Sequence, residues 1–232
     1  MTEPDCRPLR RSDIHATARL HRQHLGQGLF LNLGPRFVRR WHRTFIDNPY
    51  GCAHVVTDHD GELLGFILAA TDQRRYVGAT LGSDKWSLMA LGALGLAVRP
   101  RLAFHFVRTR GRAYARRLLG LGRRQRAAAP GGTSADDASQ APVAVVHAIV
   151  TSEQARGRGV GRRLLAQFET CAAEAGVTRL ELVTDADGDA PEFYRRLGWV
   201  QTEERLNRDG RRVLLFTKTL SDDAPPQGRT AS

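Results

Sequence analysis

The sequence predicts an α/β protein, α+β in detail, built on a mixed sheet with flanking helices and interrupted by a helical insertion. Three observations predict it. Short apolar runs alternate with amphipathic stretches in the order β-α-α-β-β-(insertion)-β-α-β-α-β-β. A glycine-rich stretch, EQARGRGVGRRLL from Glu153 to Leu165, stands where a strand hands over to a helix. From residue 73 to residue 142 the alternation breaks, and beyond it the pattern resumes.

The elements follow in chain order. CRPLR is a short first strand, and RSDIHATARLHRQHL is a helix with Ser12 or Asp13 as its N-cap. GPRFVRRWHRTFID opens with Pro35 in a first helical turn and places Phe37, Val38, Trp41 and Phe45 on one stripe. AHVVTDHDGELLGFILAA is two apolar runs around DHDG, a hairpin. Beyond Ser83 the sequence reads as an apolar helix and a basic one, hinged near Arg99 and Pro100. AAAPGGTSADDASQAP, from Ala127 to Pro142, has the composition of a flexible linker. VAVVHAIV is a strand, GRRLLAQFETCAAEAGV a helix, RLELVTD a strand and DAPEFYRRLGW a short helix closed by Gly198. A last hairpin turns at RDG. The expected organisation is one domain over residues 1–220, interrupted by a basic insertion over 73–142, with a disordered tail over 221–232.

Bulk properties narrow the class. Three cysteines, Cys6, Cys52 and Cys171, are too far apart for a CxxC pair, so no disulfide framework and no metal site is expected. No secretory leader opens the sequence and no apolar run spans a bilayer, so a cytoplasmic protein is expected. The net charge is +11, but it is local. Twelve arginines, one lysine and a single acid between Gln73 and Arg126 give +12, leaving about −1 elsewhere. Arginine outnumbers lysine 33 to 2, a bias that fits gene composition as well as it fits a polyanion partner.

The chemistry is announced by the glycine-rich stretch. A glycine costs about 1 kcal/mol in a helix relative to alanine, so three at alternate positions imply a backbone that something approaches closely. Bare N–H groups at a helix N-terminus, helped by its partial positive charge, make a phosphate cradle. Arg156, Arg158 and Arg162 add cationic reach around Gly157, Gly159, Val160 and Gly161. The stretch lacks the Lys-Ser/Thr pair of a Walker loop, and its G-x-G-x-G spacing is not the G-x-G-x-x-G of a dinucleotide site.

The spacing R-x-x-G-x-G, Arg156 to Gly161, resembles the coenzyme A pyrophosphate loop of the GNAT superfamily of N-acetyltransferases. A second segment, DGDAPEFYRRLGW, resembles that superfamily's N-x-x-A-x-x-x-Y-x-x-x-G-F, with Ala190, Tyr194, Gly198 and Trp199 in register. Asp187 stands where asparagine is usual, and Trp199 where phenylalanine is. The resemblance covers 143–220 well and 1–72 loosely, and leaves the insertion outside.

It implies a mostly antiparallel sheet with two splayed central parallel strands and acetyl-CoA as acyl donor, without a metal. The pantetheine arm would face the strand at Ile149, Val150 and Thr151, with the amide near Ile149 polarising the thioester. Gly157 to Arg162 would hold the pyrophosphate, with Asp187 as a further cofactor contact. Tyr194 resembles the tyrosine that protonates the departing thiolate. His147, nine residues ahead of Arg156, is the candidate base, with a water chain as the alternative. Glu153 reads as a helix cap.

The acceptor side is less marked. It would lie between LGQGLFLN, where Gln27 and Asn32 are candidate contacts, and the turn of the last hairpin. The expected reaction is acetyl transfer to a primary amine of a small molecule. A peptide or protein acceptor is the second reading, and a silent acyl-CoA-binding module whose insertion meets nucleic acid or membrane is the third. The insertion reads first as a pair of helices shielding one edge or face of the sheet, with a lid, a homodimer surface or a docking face for an anionic partner as the alternatives.

Overall fold

The computed structural model describes residues 5–25, 33–83, 88, 90–91, 141–207 and 209–220. Among them run β1 (Asp5–Pro8), α1 (Ile14–His24), α2 (Pro35–Asp47), β2 (Gly51–Thr57), β3 (Leu63–Ala70), α3 (Gln73–Ser83) and β4 (Val143–Thr151). After these come α4 (Val160–Glu174), β5 (Arg179–Asp185), α5 (Ala190–Arg196), β6 (Val200–Leu206) and β7 (Arg212–Thr219). The strands form one seven-stranded sheet in the order β1-β2-β3-β4-β5-β7-β6. Only β4 and β5 run parallel, and every other neighbouring pair is antiparallel. The mixed, mostly antiparallel sheet expected from the sequence is therefore present.

Each face of the sheet has its own core. On one, Leu164, Leu165, Phe168 and Ala172 of α4 pack with Cys52, Val56, Ile67 and Leu180. On the other, Leu20 of α1 and Phe45 of α2 pack with Val55, Phe66, Leu68 and Tyr76. The strict alternation of β2 and β3 serves both, so these central strands are buried almost throughout.

A polar seam runs between α1 and α2. Thr17 Oγ1 bonds to a carbonyl of its own helix, Asp13 at 3.1 Å or Ile14 at 3.3 Å. It can then accept from His42 Nδ1 at 3.1 Å, and His42 Nε2 in turn accepts from His21 Nδ1 at 2.9 Å. Both rings are buried, and burial pushes His21 down to about 4 and His42 to about 3.

Asp13 does not cap α1 through its side chain. Its carboxylate instead accepts the Arg10 N–H at 2.8 Å and pairs with Arg7 at 2.7 Å, fastening β1 to the first helical turn.

The helix α3 begins at the first residue of the span read as an insertion. Asp72 caps it, accepting the N–H groups of Arg74 and Arg75 at 3.0 Å. Tyr76 stacks on Phe45 with ring centroids 4.8 Å apart, and its hydroxyl meets Thr44 Oγ1 at 2.6 Å. Asn48 Nδ2 donates to the Tyr76 carbonyl at 2.9 Å and to Thr80 Oγ1 at 3.0 Å. So residues 73–83 are tied to the core. The rest of the expected insertion, apart from residues 88, 90–91 and 141–142, lies outside the described residues, as does the expected tail. Among the described residues no helix is long and apolar enough to cross a membrane.

Candidate active site

The site begins with a bulge. Pairing between β3 and β4 runs Gly65 with Thr151 through Leu68 with Ala148, then shifts to Ala69 with Val146, so His147 is the extra residue. The shift turns the strand over. Ala144 and Val146 enter the core on the α4 side, whereas Ala148 and Val150 enter the opposite core.

The splay starts at the same place. The parallel pairing of β4 with β5 covers Val143 with Arg179 to Val146 with Leu182, and stops there. Beyond it β4 remains paired to β3 as far as Thr151, while β5 continues to Asp185 paired to β7. An extra residue bends its strand, and here the bend coincides with the separation of the two parallel strands.

The backbone groups left open can be assigned. The Ser152 N–H bonds to the Leu64 carbonyl at 2.8 Å, which makes 64 and 152 a hydrogen-bonded pair in this register. Alternation then directs the N–H and C=O of Val150 and Ala148 to β3, and those of Ile149 and Thr151 into the splay. Val150, grouped with Ile149 and Thr151 in the sequence reading, therefore presents neither its backbone nor its core-buried side chain to the opening.

The strand ends at the glycine-rich turn. Gly157 and Gly159 have φ of +75° and +76°, the left-handed region that other residues enter only at a cost, and a Cβ on either would project into open space. Gly159 is the N-cap of α4, and among the described residues no side chain caps the helix. Glu153 is not its cap. It sits in a separate 3₁₀ turn and gives its carbonyl to the Arg156 N–H at 3.2 Å. The first backbone bond of α4 is from the Arg163 N–H to the Gly159 carbonyl at 3.0 Å, so the N–H groups of the first turn point outward. Among the described residues Arg156, Arg158 and Arg162 form no ion pair. Bare donors, a helix dipole and three uncommitted cations fit a pyrophosphate.

Gly161 has another reason to be glycine. A Cβ there would lie 3.1 Å from Cζ of Phe193 and 3.6 Å from Thr151 Oγ1. The end of β4, the start of α4 and the helix α5 thus meet at one point, joining the two sequence motifs in space.

Tyr194 follows Phe193, its ring 5.3 Å from that neighbour and 5.7 Å from Phe216. It is 6 % exposed, and burial pushes its phenol up to about 12. At neutral pH the phenol keeps its proton.

His147 is enclosed by Phe45 and Tyr76, with ring centroids 5.2 and 5.5 Å away. Its Nε2 lies 2.7 Å from Gln73 Oε1, an acceptor, so the ring proton sits on Nε2 and the lone pair on Nδ1. Burial pushes its pKa down to about 4, far from the unperturbed value that suggested a base. Gln73 was not anticipated from the sequence. It opens α3, and only the fold reveals that this helix returns over β4.

Asp187 is exposed and pairs with Arg212 of β7 at 3.3 Å. Gln27 and Asn32 lie outside the described residues.

Residues 124–220 match the acetyltransferase (GNAT) domain family. Over those residues the chain carries the match to a GNAT acetyltransferase domain. Aminoglycoside N(6')-acetyltransferase type 1 of Serratia marcescens is 36% identical to the chain over 80 residues, 34% of this chain and 49% of that protein. The chain thus spans about half the length of that curated relative. Solved structures share the fold of the described residues. Ard1 of Thermoplasma volcanium superposes with a TM-score of 0.56 at 14% identity, covering 95% of this chain and 100% of that one. NAA60 of Arabidopsis thaliana, in complex with acetyl-CoA, gives 0.55 at 13% identity, covering 94% and 98%.

Proposed function

We propose that the chain is an N-acetyltransferase, moving the acetyl group of acetyl-CoA to a primary amine of a small molecule by direct attack on the thioester. The observation that carries this reading is the open edge of β4, with Ile149 and Thr151 facing the splay and followed, after one 3₁₀ turn and the glycine-rich turn, by the N-terminus of α4. An acyl-CoA has the matching shape, with amides that pair like a strand and a pyrophosphate at the end.

The residues then take roles by their chemistry. The N–H of Ile149 points at the thioester oxygen and stabilises charge that develops there. Gly157, Gly159, Val160, Gly161 and Arg162 present backbone donors to the pyrophosphate, and Arg156 and Arg158 balance its charge. Asp187, the further candidate cofactor contact, is exposed and paired with Arg212.

The attacking amine arrives neutral. His147 Nδ1 accepts a hydrogen bond from it and fixes its direction of attack. With a pKa of about 4, His147 is a positioning acceptor, and the proton leaves the amine through water. Tyr194 gives its proton to the sulfur as the carbon–sulfur bond breaks and regains one from solvent, so the products are amide and free thiol.

Similarity to an aminoglycoside acetyltransferase supports a small-molecule acceptor bearing a primary amine. The test is release of free CoA thiol from acetyl-CoA across amino sugars, aminoglycosides, polyamines, amino acids and short peptides. Release dependent on one small-molecule class supports the reading. Release with peptides alone overturns the small-molecule part, and acetyl-CoA binding without turnover on any amine overturns the enzyme.

A further inference from the structure

All three cysteines of the sequence, separated by dozens of residues, are gathered on one face of the sheet. Cys52 and His54 are two residues apart on β2, so both point to the face covered by α4. Cys171 comes from α4 itself, three residues beyond the buried Phe168. Cys6 is paired with Val56 across β1 and β2, and therefore shares that face one strand farther out.

The sulfur atoms of Cys52 and Cys171 and a ring nitrogen of His54 all lie within 4.8 Å of one another. Cys52 Sγ is 3.7 Å from His54 Nδ1. Around a tetrahedral zinc ion, with Zn–S of about 2.3 Å and Zn–N of about 2.0 Å, a sulfur and a nitrogen ligand stand about 3.6 Å apart. The observed spacing is already that of two ligands on one ion.

We propose that Cys52, His54 and Cys171 form a binding site for Zn²⁺, bridging β2 and α4. Two thiolates neutralise the dication, so the occupied site adds no net charge to a core in which Cys52 is 3% and His54 8% exposed. Soft sulfur with imidazole selects zinc over magnesium or calcium. Cys171 is half-buried, which leaves an entry path. Three protein ligands leave the fourth tetrahedral position to water. Bound at this site, the ion would fasten the C-terminal half of α4, whose opposite end forms the pyrophosphate cradle. The site does not depend on the proposed acetyl transfer, and its test reads the metal alone.

The full chain, free of any affinity tag, is reduced, stripped with a chelator and titrated with Co²⁺. The expected result is one equivalent bound, with sulfur-to-cobalt charge-transfer absorption and the intense visible bands of tetrahedral cobalt, both abolished by one equivalent of Zn²⁺. Cys171→Ser, at the partly exposed ligand, removes the charge-transfer intensity contributed by its sulfur and weakens Zn²⁺ binding at least about tenfold, since even the loss of an outer-shell partner of a ligand costs about 10–100-fold. His54→Gln gives the same direction should a cysteine variant fold poorly. No charge-transfer band in the reduced protein overturns the site, and so does a band unchanged in both variants. A Cys52–Cys171 disulfide in the purified protein, with no cobalt bound after reduction, also overturns it.

Discussion

Phe193 and Gly161 are in contact across the two motifs: Cζ of the ring lies 3.1 Å from where a Cβ on Gly161 would stand. Gly161 is in the first turn of α4 and Phe193 in α5, so the ring sets how closely the tyrosine-bearing helix approaches the glycine-rich turn. Gly161→Val would force the ring away, at a cost of about 1–3 kcal/mol by analogy with overpacked cores. Acetyl-CoA affinity should fall about tenfold. Phe193→Leu in the same chain should restore part of it, because the shorter side chain clears the new methyls. Isothermal titration of the four proteins checks this, and simple additivity of the two changes would rule out the contact as the cause.

Gly159 separates backbone strain from charge. Its φ of +76° makes Gly159→Ala costly by about 1–2 kcal/mol, although the Cβ itself meets nothing. Gly159→Glu adds a carboxylate in front of the helix N-terminus where a pyrophosphate would sit. Alanine should weaken acetyl-CoA binding modestly and glutamate should abolish it. Equal effects from the two would show that only strain matters and would remove the anion from the explanation.

Tyr194→Phe deletes the hydroxyl of a side chain that is 6% exposed and packed between Phe193 and Phe216. The ring remains, so the fold and acetyl-CoA affinity should change little. Loss of a proton donor should lower kcat by about 10²–10⁴-fold. The pH profile adds a second check. With the phenol raised to about 12, no loss of rate from its ionisation should appear below pH 10 in the wild type. An equal fall in kcat and in donor affinity would indicate a packing role instead.

Much of this arrangement was legible in the sequence because it rests on local signals. The strand-to-helix handover at Gly157, Gly159 and Gly161 and the helix around Tyr194 are set by glycine conformation, periodicity and caps, all visible within a dozen residues. What escaped was long-range. The helix α3 buries only Tyr76, so it carries almost no apolar stripe, although Asp72 ahead of it was a usable cap signal. Its Gln73 meets His147 across 74 positions, and no pattern in either segment announces that pairing. The bulge was hidden for another reason. The burial of Ala144, Val146, Ala148 and Val150 alternates without a break, yet the first two enter one core and the last two the other. Periodicity reports alternation, not which face each residue meets.

The buried histidines predict how the protein fails in acid. His21 and His42 are 4% and 0% exposed, with pKa values lowered to about 4 and about 3, and His147 is lowered to about 4. In the unfolded chain each titrates near 6.5. Between these values the unfolded state holds more protons than the native one, so stability rises with pH through this window. It is fully present above about pH 6.5 and is lost as pH falls toward 4. Each differential proton contributes a slope of about 1.4 kcal/mol per pH unit, and His21 and His42 together approach about 3 kcal/mol per unit near pH 5. Domains of this kind have only about 5–15 kcal/mol in hand, so unfolding should begin between pH 4 and 5. Urea titrations at pH 7.5, 6.0 and 5.0 measure the slope directly. His42→Gln, which removes the most deeply buried ring, should flatten the curve while lowering its plateau, since Thr17 and His21 lose their partner. A wild-type stability unchanged from pH 7.5 to 5.0 would mean that these rings become protonated in place, and that the seam between α1 and α2 is open to water.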